Sequence, residues 1–172
     1  MLDKTRPIAL VTGASRGIGK AIALEIAGQD LTVIGTATTD EGAKNISSYL
    51  QEMGVSGEGM CADVAEEKSV SNLIRNINDK FSSPVILVNN AGHNITENFE
   101  EISEESFDRM LNVHVKGTFF MTQAVYKDMK KRGAGRIINI TSQLAYKGAG
   151  TLTHYCAAKG ANTTFTRALA LE

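Results

Sequence analysis

The stretch Ile8-Ala9-Leu10-Val11-Thr12-Gly13-Ala14-Ser15-Arg16-Gly17-Ile18-Gly19 decides the fold. Four successive apolar residues read as a strand buried on both faces, and Gly17 to Ala27 reads as a helix. The turn between them has Gly-x-x-x-Gly-x-Gly spacing, which lets the backbone approach a ligand, while the helix N-terminus turns unpaired N–H groups toward an anion. In isolation such a turn is only a tight strand-to-helix connection. On the first strand–helix unit it predicts a dinucleotide site formed by Gly13, Ser15, Arg16, Gly17, Ile18 and Gly19.

The rest of the chain repeats this alternation. Strands are expected at Leu31 to Gly35, near Glu58 to Ala62, at Val85 to Val88 and at Arg136 to Thr141. Helices are expected over about Glu41 to Met53, Glu66 to Phe81 and Ser103 to Lys131, with a last helix around Tyr155. Short apolar strands alternating with helices imply an α/β fold, a doubly wound parallel sheet covered on both faces. No repeat, low-complexity tract or linker divides residues 1–172, so one domain is expected.

Composition narrows the function classes. With 42% hydrophobic and 22% charged residues and a net charge of −1, the chain reads as an ordinary soluble globular protein, and its charge argues against nucleic acid as a partner. No apolar run reaches the ~18 residues needed to span a bilayer, and Met1 to Pro7 does not read as a signal peptide. A cytoplasmic setting follows. Cys61 and Cys156 have no ligand spacing around them, so neither a disulfide framework nor a metal site is expected. Asn94, Asn139 and Asn162 begin Asn-x-Ser/Thr matches, which matter only in a secreted protein.

The chemistry centres on Tyr155-Cys156-Ala157-Ala158-Lys159. Positions four apart share a helix face, so the phenol and the ammonium lie together. A free phenol titrates near pH ~10, and a fixed ammonium one turn away favours the phenolate, the form a proton-transfer catalyst uses. Ser142 follows the fifth strand and is placed to hydrogen-bond a substrate oxygen at the same point. The bland alternative is a surface Tyr/Lys pair with a turn serine.

Charge also indicates the cofactor. Proteins that hold NAD usually carry an acid at the end of the second strand, where it binds the ribose and repels a 2′-phosphate. Here Thr36, Ala37, Thr38 and Thr39 precede the first acid, Asp40, and Arg16 supplies a cation from the loop. NADP(H) is therefore expected, with Thr36 and Thr38 beside its phosphate. Asp63-Val64 after the third strand is placed to meet the adenine. Asp63 with Glu66 also resembles a capping box, and both roles can hold. Asn89-Asn90-Ala91-Gly92 is a turn at the end of the fourth strand, on the side where such sheets bind ligands.

In order and spacing, these motifs resemble the classical short-chain dehydrogenase/reductase family across almost the whole chain. The first half is most similar to 3-oxoacyl-acyl-carrier-protein reductases, notably from Thr32 to Ala43. The resemblance implies a Rossmann-like sheet in order 3-2-1-4-5. It also implies hydride exchange between NADPH and a carbonyl carbon, with Tyr155 as proton donor, Ser142 orienting the oxygen and Lys159 holding the ribose. Asn90, Ala91 and Gly92 join the cofactor contacts. The substrate would be a small carbonyl compound or acyl thioester, the latter carried by an acyl carrier protein. A homodimer or homotetramer is implied as well.

Three departures qualify this resemblance. His114 stands where the family places an asparagine whose backbone carbonyl holds a relay water, a service a histidine still offers. Asn112 lies about 200° away round the helix, so both cannot face the site. The residues after Gly92 and after Ser142 are more similar to general alcohol dehydrogenases, which keeps an alcohol, polyol or steroid-type substrate open. Lys127, Lys130, Lys131, Arg132 and Arg136 either dock an acidic carrier protein or remain a solvated helix end. Glu172 is thirteen residues beyond Lys159, before the family's last two strands. If these residues are the whole molecule, weak cofactor binding and impaired activity are expected, or a nucleotide-binding relative without turnover; within a longer chain, ordinary activity.

Overall fold

The computed structural model describes residues 6–172, so most of the expectation about the chain's first residues lies outside the described residues. Five strands, β1 (Ile8–Val11), β2 (Thr32–Ala37), β3 (Gly57–Cys61), β4 (Ile86–Asn89) and β5 (Arg136–Asn139), form one sheet in the order β3-β2-β1-β4-β5. Every pairing is parallel. Leu10 is in register with Ile34 of β2 and Leu87 of β4, and Leu87 with Ile137 of β5. The expected Rossmann-like order holds.

Alternation along the central strands divides the core into two. Ile8 and Leu10 of β1 point to one face, where they join Leu87 and are covered by Leu73 and Ile77 of α3 (Glu67–Lys80) and Met121 and Val125 of α5 (Gly117–Arg132). Ala9 and Val11 point to the other, against Ala23 of α1 (Gly17–Ala27) and Ile46 and Leu50 of α2 (Asp40–Glu52). β1 and β2 are buried along their whole length, while β5 alternates exposed and half-buried residues at the sheet edge. The continuous apolar run of β1 thus reflects helices on both faces.

Several boundaries differ from expectation for local reasons. β2 continues to Ala37 because Thr36 and Ala37 pair with Met60 and Cys61. β5 ends at Asn139, and the next carbonyl, Ile140, instead accepts Lys159 Nζ at 2.6 Å. The single helix expected from Ser103 to Lys131 is three pieces: α4 (Glu104–Leu111), a π-helical turn (Asn112–Lys116) and α5. Such turns recur at functional sites, and this one carries His114. The capping box expected at Asp63 is absent. Asp63 Oδ1 accepts the Ala65 N–H at 2.9 Å in an Asx turn, and Glu66 gives α3 no side-chain cap. α6 (Leu144–Lys147) and α7 (Thr153–Leu169) complete the described chain.

Candidate active site

The glycine loop is held from both sides. Gly13 has φ +65°, and its N–H lies 3.4 Å from Thr36 Oγ1, while the Ala14 N–H donates to Thr36 O at 2.9 Å. A Cβ at Gly19 would sit 2.5 Å from Asn90 Nδ2 and closer still to the Gly13 carbonyl oxygen, so only glycine lets α1 start so near the loop. From α2, Tyr49 donates its hydroxyl to Ala14 O at 2.9 Å and Asn45 Nδ2 donates to Ser15 O at 3.0 Å. Burial pushes the Tyr49 phenol up to about 12, so it stays a donor. At the outer turn Gly17 has open space around its Cβ position, Ile18 is 65% exposed and Arg16 is exposed. No acid occupies the first turn of α1. An open loop, a helix N-terminus and an adjacent cation fit the pyrophosphate of a dinucleotide.

The strand ends beside the loop are less uniform than the sequence implies. Thr36 is buried with its hydroxyl turned to Gly13, whereas Thr38 is exposed. Thr39 accepts the Gly42 N–H and caps α2. The Cys61 thiol at the end of β3 is pushed up by burial and then by the nearby carboxylates of Asp40 and Asp63. Asp63 is exposed, but Val64 belongs to the core and packs on Gly117.

The turn after β4 is fixed by a single hydroxyl. Thr12 Oγ1 accepts the N–H groups of Asn90 at 3.0 Å and Ala91 at 2.9 Å, and donates to Val88 O at 3.3 Å. Asn90 Nδ2 returns to the carbonyls of Thr12 and Gly13. The Asn89 to Gly92 turn and the glycine loop therefore form one unit at the C-terminal edge of the sheet.

At the same edge α7 carries Tyr155 and Lys159. Lys159 is buried, its Nζ lies 5.7 Å from the centre of the Tyr155 ring, and burial lowers its pKa. Ser142 follows β5, with its Oγ accepting the Leu144 N–H at 3.1 Å, and the neighbouring Thr141 hydroxyl donates to Lys159 O at 3.3 Å. The ring of His114, 2% exposed, meets Tyr155 edge-on at 5.5 Å and 88°. Its Nε2 meets the His93 backbone, 3.2 Å from the N–H and 2.7 Å from the carbonyl oxygen, while its buried Nδ1 has no partner. Burial, then the Lys159 charge, lowers the imidazole to about 4, so it is neutral at pH 7.

The expectation that the His114 carbonyl holds a water is corrected. That oxygen already accepts Thr118 Oγ1 at 2.7 Å and Asn162 Nδ2 at 3.0 Å, which occupies both lone pairs. What His114 presents to Tyr155 is its ring. Asn162, one of the three sequon asparagines, is 3% exposed and committed to this bond.

Residues that the motif pattern did not single out also support the site. They are Thr12, Asn45, Tyr49, His93, His154 and Asn162. His93 and His154 had a faint signal, since the chain has three histidines and these two flank Gly92 and Tyr155. The basic cluster is divided: Arg132 donates to Ser83 O and Pro84 O, and Lys130 contacts the Tyr126 hydroxyl. Among the described residues no group of three or more His, Cys, Asp or Glu side chains is arranged to hold a metal, and no helix is long and apolar enough to cross a membrane.

A glycine loop on the first strand–helix unit, joined to a Tyr155/Lys159 helix at the sheet's C-terminal edge, defines a Rossmann-type oxidoreductase, and the chain belongs to the short chain dehydrogenase family, whose profile matches residues 7–172. It is 41% identical over 165 residues to the 3-oxoacyl-[acyl-carrier-protein] reductase FabG of Pseudomonas aeruginosa, covering 96% of this chain and 67% of that protein. The FabG of Vibrio harveyi is 40% identical, with 96% and 66% covered. Among solved structures, the F189W actinorhodin polyketide ketoreductase with NADPH superposes with a TM-score of 0.95 at 32% identity, over 99% of this chain and 66% of that one. A gluconate 5-dehydrogenase from Burkholderia cenocepacia in complex with NADP and tartrate gives 0.91 at 29%, over 98% and 68%. The chain thus spans about two thirds of the length of the relatives it matches.

Proposed function

We propose that this chain carries out NADPH-dependent reduction of a carbonyl to an alcohol, with a 3-oxoacyl thioester as substrate. The observation that carries the reading is the pairing of Tyr155 with Lys159 on α7, which Thr141 beside Ser142 ties to the sheet edge that also holds the glycine loop. Gly13, Ser15, Arg16, Gly17, Ile18 and Gly19 hold the pyrophosphate, and Thr38 and Arg16 bind the 2′-phosphate. Thr36 acts from behind the loop, through Gly13. Asp63 and the Val64 backbone border the adenine, and Asn90, Ala91 and Gly92 line the path to the nicotinamide. When bound, the nicotinamide supplies the hydride.

The protein residues supply the proton and the positioning. Tyr155 gives its phenolic proton to the carbonyl oxygen as charge develops there, and Ser142 donates a hydrogen bond to the same oxygen. Lys159, released from Ile140 O, binds the ribose hydroxyls and places its positive charge beside the phenol. His114 acts as a neutral wall that sets the angle of the Tyr155 ring. The chain acts as a homodimer or homotetramer, and an acyl carrier protein delivers the thioester, with Lys127 and Lys131 as its docking charges. The likeness to reductases that share about 40% of its residues supports the thioester substrate.

A second reading, oxidation of a polyol-type hydroxyl at the same site, is favoured by the likeness to the gluconate 5-dehydrogenase. The two are separated by following nicotinamide absorbance with NADPH plus an acetoacetyl thioester, and with NADP plus gluconate. Consumption of NADPH that Tyr155→Phe abolishes is the expected result. Turnover that Tyr155→Phe leaves intact removes the mechanism, and turnover with gluconate alone selects the second reading.

A further inference from the structure

His154 immediately precedes Tyr155 and is 0% exposed, yet nothing in the proposed chemistry uses it. Its Nε2 lies 3.3 Å from Glu97 Oε2 without hydrogen-bond alignment, and its Nδ1 has no partner. The same carboxylate oxygen accepts the hydroxyl of Ser106, in the first turns of α4. Glu97 is held by its backbone as well, since its N–H donates to Thr151 O at 3.0 Å. One residue on the segment after β4 therefore ties together α4, the turn before α7 and the first turn of α7.

Two further features show what this tie must hold. Thr151 has φ +62°, a left-handed conformation that β-branched residues rarely adopt, and it stands four residues before Tyr155. α7 starts from Leu152 with no side-chain cap, so its first turn depends on tertiary contacts for its position. A carboxylate beside a helix N-terminus favours the helix dipole, and here it also meets a buried imidazole. Arg109 and His93 are the other titratable groups nearby: burial first, then the charges of Arg109 and His154, lower the His93 pKa.

We propose that Glu97 and His154 are positioning residues: the carboxylate bridges Ser106 and His154, and its backbone N–H pins Thr151, so that the uncapped start of α7 presents Tyr155 at a fixed distance from the reacting carbonyl. The proposal rests on Tyr155 as the proton donor. The proposed chemistry assigns neither Glu97 nor His154 a contact with substrate or cofactor. Their loss should therefore lower turnover with little change in cofactor affinity, because Lys159, one turn further along α7, is anchored separately through Thr141, and the glycine loop through Thr12, Asn45 and Tyr49.

The test uses Glu97→Gln, His154→Gln and the double variant in the complete protein, with Tyr155→Phe beside them. Two readouts are taken. Amide hydrogen exchange at Glu97 and across residues 150–156 should rise by about tenfold or more in each single variant, while α1 and α2 stay protected. Turnover of the acetoacetyl thioester should fall about tenfold, with the NADPH Kd within about twofold of the parent, since small misplacements of a reacting group act on the chemical step. The double variant should be no worse than either single variant, because both cut one link. Unchanged exchange at Glu97 overturns the tie. Raised exchange with unchanged turnover overturns the positioning role, as does a fall in turnover matched by an equal loss of NADPH affinity. If Tyr155→Phe keeps full activity, the functional reading fails instead, and the exchange result stands as evidence on the tie alone.

Discussion

Gly92→Ala tests the packing of the site through a single methyl group. A Cβ at Gly92 would lie 3.0 Å from His114 Nδ1, 3.2 Å from Nε2 and nearer than either to Cε1. Gly92 is not among the residues with positive φ, so alanine meets no backbone strain and the cost is steric. The imidazole has little freedom to yield, because it is 2% exposed, bonded to His93 O and wedged edge-on against Tyr155. Overpacking of this kind costs about 1–3 kcal/mol, and losing the His93 hydrogen bond adds about 1 kcal/mol. Alanine recovers about 0.4–1 kcal/mol by restricting the unfolded chain. The net loss is about 2–3 kcal/mol, which for a chain of this size lowers Tm by on the order of 5–10 °C. Urea and thermal unfolding measure it directly. In a His114→Ala background the same substitution should become neutral or slightly stabilising, since its clashing partner is gone. Equal destabilisation in both backgrounds would refute the argument.

Three other outcomes follow from the same geometry. His114 titrates near 6.5 when unfolded and at about 4 when folded, so the unfolded chain takes up this proton first; stability is full above pH 6.5 and falls toward pH 4, by on the order of 3 kcal/mol. His114→Gln should flatten that limb of the urea midpoint against pH, and an unchanged acid limb would show that other groups produce it. Thr12→Val keeps the shape but strands the N–H groups of Asn90 and Ala91, and should cost about 1–3 kcal/mol in urea unfolding, whereas Thr12→Ser should cost less than half of that. Arg16→Ala should weaken NADPH binding about tenfold and NADH binding little, read by fluorescence titration; equal losses would remove the 2′-phosphate from the argument.

How legible each part was depends on the range of the interaction behind it. The doubly covered parallel sheet was readable because β1 is a continuous apolar run followed directly by Gly13, Gly17 and Gly19, whereas its 3-2-1-4-5 order came from the family resemblance. The pairing of Tyr155 with Lys159 was readable because helix geometry alone places them on one face. The π-helical turn was not, since Asn112 to Lys116 carries no breaker and its apolar spacing fits an ordinary helix. Nor was the buried state of the Thr36 hydroxyl, which depends on where the glycine loop folds back over β2.

The sequence by itself determined the strand–helix alternation, the anion-binding turn and the Tyr155/Lys159 face, because each arises from residues within a turn or two of one another. Tertiary structure alone decided what surrounds them. Asn162 meets the His114 carbonyl across 48 positions, Thr12 meets Ala91 across 79, and Glu97 on the segment after β4 meets His154 of α7. Such contacts are set by how packed elements cross, and no periodicity along the chain encodes them.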